Sequence, residues 1–357
     1  MKAVILAAGM GTRLRPVTLT MPKPLVPVAN QWLISYAVDT LKSSGLTEIG
    51  IVVNDLDSPI CTTLSNGADW GVDIHYIVQS EQKGLAHAIG LCHPFVGDEP
   101  FCVFLGDNIF QDKMQDLLTN FAESGAEATI VLGEVPDPTR FGVADIQDSR
   151  IRRVVEKPQN PPSNLAIAGV YLFRASIFDA IGKIQPSWRN ELEITDAIQA
   201  LIESGAEVQP YTLKGWWIDA GKPDAIILAN QLVLEDLPYT PPIDDATIIQ
   251  GQCEVGHRVL IGKNSKIENS VVRGPVIIGD NTTITNSYVG PYTSIGNNVV
   301  VQGSQIDASI VMDNCEIIDI PGRIDSSLLA YNAKVSSNTK MPDAHRFVLA
   351  ENSYIKL

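Results

Sequence analysis

Cysteine is scarce in this chain: Cys61, Cys92, Cys102, Cys253 and Cys315 are odd in number and never form a Cys-x-x-Cys pair. That pattern argues against a disulfide framework and a thiolate zinc site, and predicts buried free thiols in a reducing compartment. Positive charge is short as well. The 26 Lys and Arg against 41 Asp and Glu leave a formal net charge of −15. A nucleic acid polymer or an anionic membrane is a poor partner for such a chain, whereas a small anionic ligand needs only a local basic pocket. No apolar run approaches the roughly 18 residues of a spanning helix, and the chain opens on a core-strand pattern with no signal peptide. The expected compartment is the cytoplasm. The rest is ordinary for a globular protein: 357 residues, 45% hydrophobic and 19% charged. Such a length suggests two or three domains of roughly 150 residues each.

The strongest local pattern is at the start. Lys2 to Ala7 is a short apolar run bounded by glycine, which reads as a buried strand. The loop Ala8-Gly9-Met10-Gly11-Thr12-Arg13 follows, and then Lys23. Two glycines, Gly9 and Gly11, let backbone N–H groups approach an anion, and Arg13 and Lys23 supply fixed positive charge for a triphosphate. The stretch is neither a Walker loop, which ends in Gly-Lys-Ser/Thr, nor a dinucleotide fingerprint, because Leu14 stands where the third glycine belongs.

Residues 1–235 alternate apolar strands with amphipathic helices, predicting an α/β domain with a mixed, mainly parallel, Rossmann-like sheet. Ligands of such sheets sit beyond the carboxyl ends of the strands, so residues just past strand ends are the candidates. Gln79 follows the strand 74–78, and its amide can pair with a pyrimidine where Gly84 lets the backbone come close. Asp107 follows the apolar strand 101–105, and Asp219 ends the run 215–219; two such carboxylates suit one Mg²⁺ on nucleotide phosphates. An Asp N-cap or Asx turn competes with that reading at Asp107. Glu156 and Lys157 close the strand 151–155 and are candidates for sugar hydroxyls and a sugar phosphate, with Gly169 and Tyr171 on the strand 164–171 against the sugar. Glu191 to Asp196 is expected to begin a helix running to Glu203, where acidic residues are normal for dipole reasons.

Residues 236–242 are proline-rich and read as a linker, and residues 243–357 as a second domain. Aliphatics recur at Val255, Ile261, Ile267; Val272, Ile278, Ile284; Val289, Ile295, Val301; and Ile306, Met312, Ile318, with Ile243 and Ile249 upstream. Steps of six and five residues, with Gly, Asn and Ser between them, predict a left-handed parallel β-helix of hexapeptide repeats. Residues 319–357 fit the repeat poorly and are expected to cap the open end or reach a neighbouring subunit.

Together, Gly9-Met10-Gly11-Thr12-Arg13-Leu14, Gly106 to Phe110, Glu191 to Asp196, Trp217 to Gly221 and Gly322 to Ser327 resemble the long-form glucose-1-phosphate thymidylyltransferases, a branch of the sugar-phosphate nucleotidyltransferases. The resemblance covers nearly the whole chain. It implies that Ala8, Gly9, Gly11, Thr12, Gln79, Gly84 and Glu191 bind nucleotide, with Gln79 and Gly84 reading the base and Glu191 by the ribose. It further implies that Asn108, Gly142, Glu156, Lys157, Gly169 and Tyr171 line the sugar-phosphate site. Asp107 and Asp219 would hold Mg²⁺, and Arg13, Lys23 and Lys157 would serve catalysis. Partners would be a nucleoside triphosphate, a sugar 1-phosphate and further copies of the chain through the β-helix. Pro24 stands where that family usually has glutamine, and Ala29-Asn30-Gln31-Trp32 replaces a more usual Asn-Lys-Pro. Lys-Pro-Leu is similar to mannose-1-phosphate guanylyltransferases and relatives using UTP or GTP. Two other readings are a bifunctional protein whose β-helix is an acyltransferase, with His257 or His345 as its histidine, and a non-catalytic sugar-nucleotide-binding subunit.

Overall fold

A computed structural model of the chain describes residues 1–241 and 244–337. Ile243, His345 and most of the expected cap lie outside the described residues. The contacts divide the chain into two compact units. One comprises Met1–Met10, Pro22–Leu25 and Leu33–Asp219; the other comprises Gly11–Met21, Val26–Trp32 and Ala220–Leu357.

The first unit is built on a mixed sheet of nine strands. Lys2–Leu6 lies between Glu48–Val53 and Phe101–Leu105, and Asp73–Val78 adds beyond Glu48–Val53, all parallel. The apolar sequences of residues 3–6, 49–53 and 101–105 suit a sheet covered on both faces, whereas the edge strand Asp73–Val78 exposes Asp73 and His75. Val4, Ile51 and Val103 are fully buried. Leu165–Phe173 joins antiparallel to Phe101–Leu105 and to Ala128–Glu134, and carries the sheet on to Gly142–Gln147 and Arg150–Glu156. The parallel register puts Leu6 level with Leu105 and Val52, and Val53 level with Val78. Ala7 N–H donates to Val52 O, Gly106 N–H to Leu6 O and Gln79 N–H to Val53 O. Ala8, Asp107 and Gln79 therefore leave the sheet along one edge, where strand topology puts ligands.

The second unit is a left-handed parallel β-helix with three flat walls, each of five or six parallel strands among the described residues. Ile267, Ile284, Val301 and Ile317 stack inside one wall, and Val272, Val289 and Ile306 inside another, all fully buried. Corners are turned by Asn264, Asn281, Asn298, Asn314 and Asn332 in the left-handed region, which asparagine tolerates. Buried hydroxyls close the backbone bonds between coils, as where Ser265 accepts from Thr282 N–H and Ser270 from Ser287 N–H.

The observed repeat departs from the expected one in its last coils. Val311 and Ile317, rather than Met312 and Ile318, align with Ile295 and Val301. The corner after Ile306 is one residue shorter than its predecessors, so counting in sixes slips by one; both neighbours are aliphatic, which hides the slip. The segment after residue 319 is also no mere cap. Arg323–Asp325, Leu328–Leu329 and Lys334–Ser336 each extend a wall. The helix Pro223–Leu234 belongs to this unit. Its buried Asn230 accepts from Ala29 N–H at 2.8 Å and Ser294 Oγ at 2.6 Å, and donates to Tyr292 O. His257 stacks on Tyr239 with ring centroids 4.1 Å apart.

All five cysteines are free. Burial pushes the Cys92 and Cys102 thiols up to about 12, which leaves them unreactive. Among the described residues no helix is long and apolar enough to cross a membrane.

Candidate active site

At the strand-end edge of the first unit lies a cavity of about 230 Å³. Its walls include Ala8, Gly9, Lys23, Gln79, Gly84, Asp107 and Glu191 from the expected set, joined by Pro24, Gln82 and Leu85. Gln82 was no sequence candidate; its Nε2 donates to Ala8 O at 2.8 Å and fastens the glycine loop to the opposite wall.

Gly84 is held at φ +102, and a Cβ on it would stand 2.5 Å from Leu192 O and 2.8 Å from Leu192 N. Ala86 N–H donates to Leu192 O and Leu192 N–H to Lys83 O, so the turn before the helix Leu85–Gly90 is stitched to the segment carrying Glu191. That segment is not yet helical. The helix begins at Ile194, with Glu193 at its N-cap and Glu191 two residues earlier, so neither lies within the first helical turn.

Lys23 sits on a single 3₁₀ turn, Lys23–Leu25, and is 7% exposed. Its ammonium is ion-paired to Asp107 and stands 3.8 Å from Asp219 Oδ1. A buried lysine requires such partners, and two carboxylates far apart in sequence supply them, Asp107 from a turn and Asp219 from a strand end. Asp219 reaches this point because Trp217–Asp219 pairs antiparallel with Asn108–Phe110, with Asp219 opposite Asn108. Asn108 is 2% exposed; its Nδ2 donates to Asp107 Oδ1 at 2.7 Å, and its Oδ1 accepts from Trp217 Nε1 at 2.5 Å. Its amide thus orients Asp107 and ties the two strands. Two hard oxygen donors already converging on a cationic group fit Mg²⁺, which needs few protein carboxylates when phosphates complete its shell. Among the described residues no cluster of three or more His, Cys, Asp or Glu forms a richer metal site.

A second charged group surrounds Arg189, which lies in an irregular loop and carried no sequence signal. Its guanidinium reaches Glu156 Oε1 at 3.4 Å, Glu191 Oε2 at 2.7 Å and Glu193 Oε1 at 3.3 Å. Lys157 Nζ is 3.3 Å from Glu156 Oε1, and Thr195 Oγ1 donates to Glu156 Oε2 at 3.3 Å. Burial holds the Glu156 carboxyl above its ordinary range, against the lowering pull of Lys157. Gly142 is opposite Glu156 in the ladder, and a Cβ there would come within 2.8 Å of Thr195 Cγ2. Lys157 itself is held at φ +41, a costly conformation for a non-glycine residue and one that clusters at functional sites. Tyr171 is 3% exposed and stacks on Phe173; burial, and then the Glu156 charge, push its phenol up. Gly169, at φ +75 where the ladder slips, faces Leu105 and Asn108.

Gly11, Thr12 and Arg13 fall in the segment Gly11–Met21, which groups with the second unit, and none lines the cavity. Arg13 is exposed on the 3₁₀ turn Thr12–Leu14.

The profile of the nucleotidyl transferase family matches residues 2–236. The chain is 45% identical to the low-salt glycan biosynthesis nucleotidyltransferase Agl11 of Haloferax volcanii, each covered over its full length. It is 40% identical to a glucose-1-phosphate thymidylyltransferase of Streptomyces antibioticus, over 100% of this chain and 99% of that one. It is 39% identical to the UTP–glucose-1-phosphate uridylyltransferase AglF of H. volcanii, over 66% of this chain and 98% of that one. Among solved structures, one described as a glucose-1-phosphate thymidylyltransferase from Bacillus anthracis superposes with a TM-score of 0.62 at 38% identity, covering 68% of this chain and 98% of that one. With its strand-end cavity, paired carboxylates and full-length relatives, the chain belongs to the nucleotidyl transferase family and is an enzyme of that type.

Proposed function

We propose that the chain is a glucose-1-phosphate thymidylyltransferase, forming dTDP-glucose and pyrophosphate from dTTP and α-D-glucose 1-phosphate. The observation that carries this reading is the convergence of Asp107 and Asp219 on the Lys23 ammonium at a cavity also lined by Gln79, Gly84 and Glu191. In the reaction a phosphate oxygen of the sugar phosphate bonds to the α-phosphorus of the triphosphate. The bond from that phosphorus to the bridging oxygen breaks, and pyrophosphate leaves with the electron pair. No proton transfer to a side chain and no covalent intermediate is required, so positioning and charge stabilisation carry the rate.

Asp107 and Asp219 would hold Mg²⁺, which when bound neutralises phosphate charge. Lys23 stabilises charge on the phosphates beside them. Lys157 and Arg189 offer cations to the sugar phosphate, while Glu156 accepts from sugar hydroxyls. Gln79 and Gly84 face the base and Glu191 the ribose. The protein acts in the cytoplasm as a homo-oligomer assembled through its β-helix, which size-exclusion chromatography with light scattering would check.

A second reading takes UTP in place of dTTP. Pro24 lines the cavity beside Lys23, at the position where the sequence departs from the thymidylyltransferase pattern, and a uridylyltransferase is among the relatives. Pyrophosphate release with Mg²⁺ and glucose 1-phosphate across dTTP, UTP, GTP, CTP and ATP separates the two. A dTTP preference supports the first reading; equal or better use of UTP moves the assignment to a uridylyltransferase. No release by folded protein overturns both.

A further inference from the structure

Gln79 lies in the cavity wall with two defined contacts to its amide nitrogen. It is 5% exposed, and its side-chain nitrogen is 3.2 Å from Gly84 O and 3.1 Å from His87 Nδ1. A carbonyl oxygen only accepts, so the Gln79 atom facing Gly84 must be the NH₂ group, and the amide has a single orientation. That nitrogen has two N–H donors; one goes to Gly84 O and the other to His87 Nδ1. His87 Nδ1 must then be an acceptor, which makes the ring the neutral tautomer protonated at Nε2. With both donors spent, the amide's remaining hydrogen-bonding atom is Oε1, and Oε1 has no partner among the described residues.

We propose that His87 is a positioning residue that locks the Gln79 amide with Oε1 turned to the nucleotide, and so makes the cavity select bases that carry a ring N–H. This rests on the reading of the cavity as a nucleotide site and deepens it. Thymine and uracil present N3–H to such an acceptor, and guanine presents N1–H. Cytosine N3 and adenine N1 are themselves acceptors, so two lone pairs would face each other without a proton between them. His87 reaches this position because Gly84 opens the turn: Ala88 N–H donates to Gly84 O, and the first turn of Leu85–Gly90 holds the imidazole beside Gln79. Gly84 O, which also accepts from Ala88 N–H, takes only one of the two amide N–H groups of Gln79. Without an acceptor at Nδ1 the amide could swing or invert, and the selection against acceptor bases would relax.

The test uses the full chain and pyrophosphate release with glucose 1-phosphate and dTTP, UTP, CTP or ATP. In His87→Phe, which keeps a ring but no acceptor, the kcat/KM ratio of UTP or dTTP over CTP should fall about tenfold, the scale of one base contact. His87→Asn, whose Oδ1 stands at the same chain position as Nδ1, should restore most of that ratio, while KM for the sugar phosphate stays level in both. In the Gln79→Ala background, His87→Phe should add nothing further, because the two act as one unit. An unchanged ratio in His87→Phe, or an equal loss for every base, would overturn the proposal while leaving the nucleotidyltransferase reading intact. If wild type turned over no nucleotide, that reading would fall; the ¹⁵N shifts of labelled histidine would still decide, since a protonated Nδ1 at His87 contradicts the lock and an unprotonated one supports it.

Discussion

Asp219 stands directly opposite Asn108 in a two-stranded antiparallel ladder, and Asn108 Nδ2 holds Asp107, so two carboxylates 112 positions apart share the Lys23 ammonium. Replacing Lys23 by Met leaves these carboxylates facing each other. The expected result is a fall in kcat of about 10²-fold or more. Melting temperature should drop in metal-free buffer and recover partly on adding Mg²⁺, because a cation then replaces the ammonium. Pyrophosphate release and thermal unfolding with and without EDTA would check both; a variant with near-normal kcat would remove Lys23 from catalysis.

Arg189 is the shared counter-ion of Glu156, Glu191 and Glu193. Arg189→Met should raise KM for the sugar phosphate about tenfold, one charge-assisted contact. It should also lower thermal stability, because three carboxylates lose the cation they share. A KM that does not move would leave Arg189 with a purely architectural role.

Burial holds the Glu156 carboxyl above its ordinary value. The folded chain therefore keeps a proton at pH values where the unfolded chain has released it, so the stability tied to that proton is present in acid and lost as pH rises. Glu156→Gln removes this dependence. Its melting temperature relative to wild type should climb as pH goes from about 4 to about 8, across and beyond the ordinary glutamate range. A falling difference over the same range would show that the pairings with Lys157 and Arg189 outweigh desolvation.

Gly84→Ala sets a methyl against the Leu192 backbone at a positive φ. Destabilisation of about 1–3 kcal/mol is expected from the backbone conformation alone. KM for the nucleotide should rise with it, because the same turn carries one cavity wall. Denaturant unfolding alongside nucleotide kinetics would separate the two effects.

How far the sequence shows all this depends on whether a residue's place is set by a repeating pattern. Asp107 and Asp219 stand out as candidates because one follows an apolar run and the other ends one, and the interior of the β-helix is legible because aliphatics recur at fixed steps. Arg189 sits in Pro-Ser-Trp-Arg-Asn, a stretch with no periodicity, and its meaning arises only when three glutamates fold around it. Glu191 and Glu193 looked like a helical first turn because acidic residues favour such ends; the chain instead stays extended to meet Lys83 and starts its helix at Ile194. The shift from Met312 to Val311 is masked in the sequence for a simpler reason. Adjacent aliphatic residues are interchangeable to a count of hydrophobic steps, yet a shift of one residue swaps inside for outside in a strand.

That slip has a wider meaning for the β-helix. The step between stacked strands is seventeen residues from Val272 to Val289, sixteen from Ile295 to Val311 and eighteen from Val311 to Leu329, while the walls stay aligned. All the length variation is absorbed at corners. Insertions and deletions there should be tolerated during divergence, whereas a single residue gained or lost inside a wall would turn every later side chain of that strand to the wrong face.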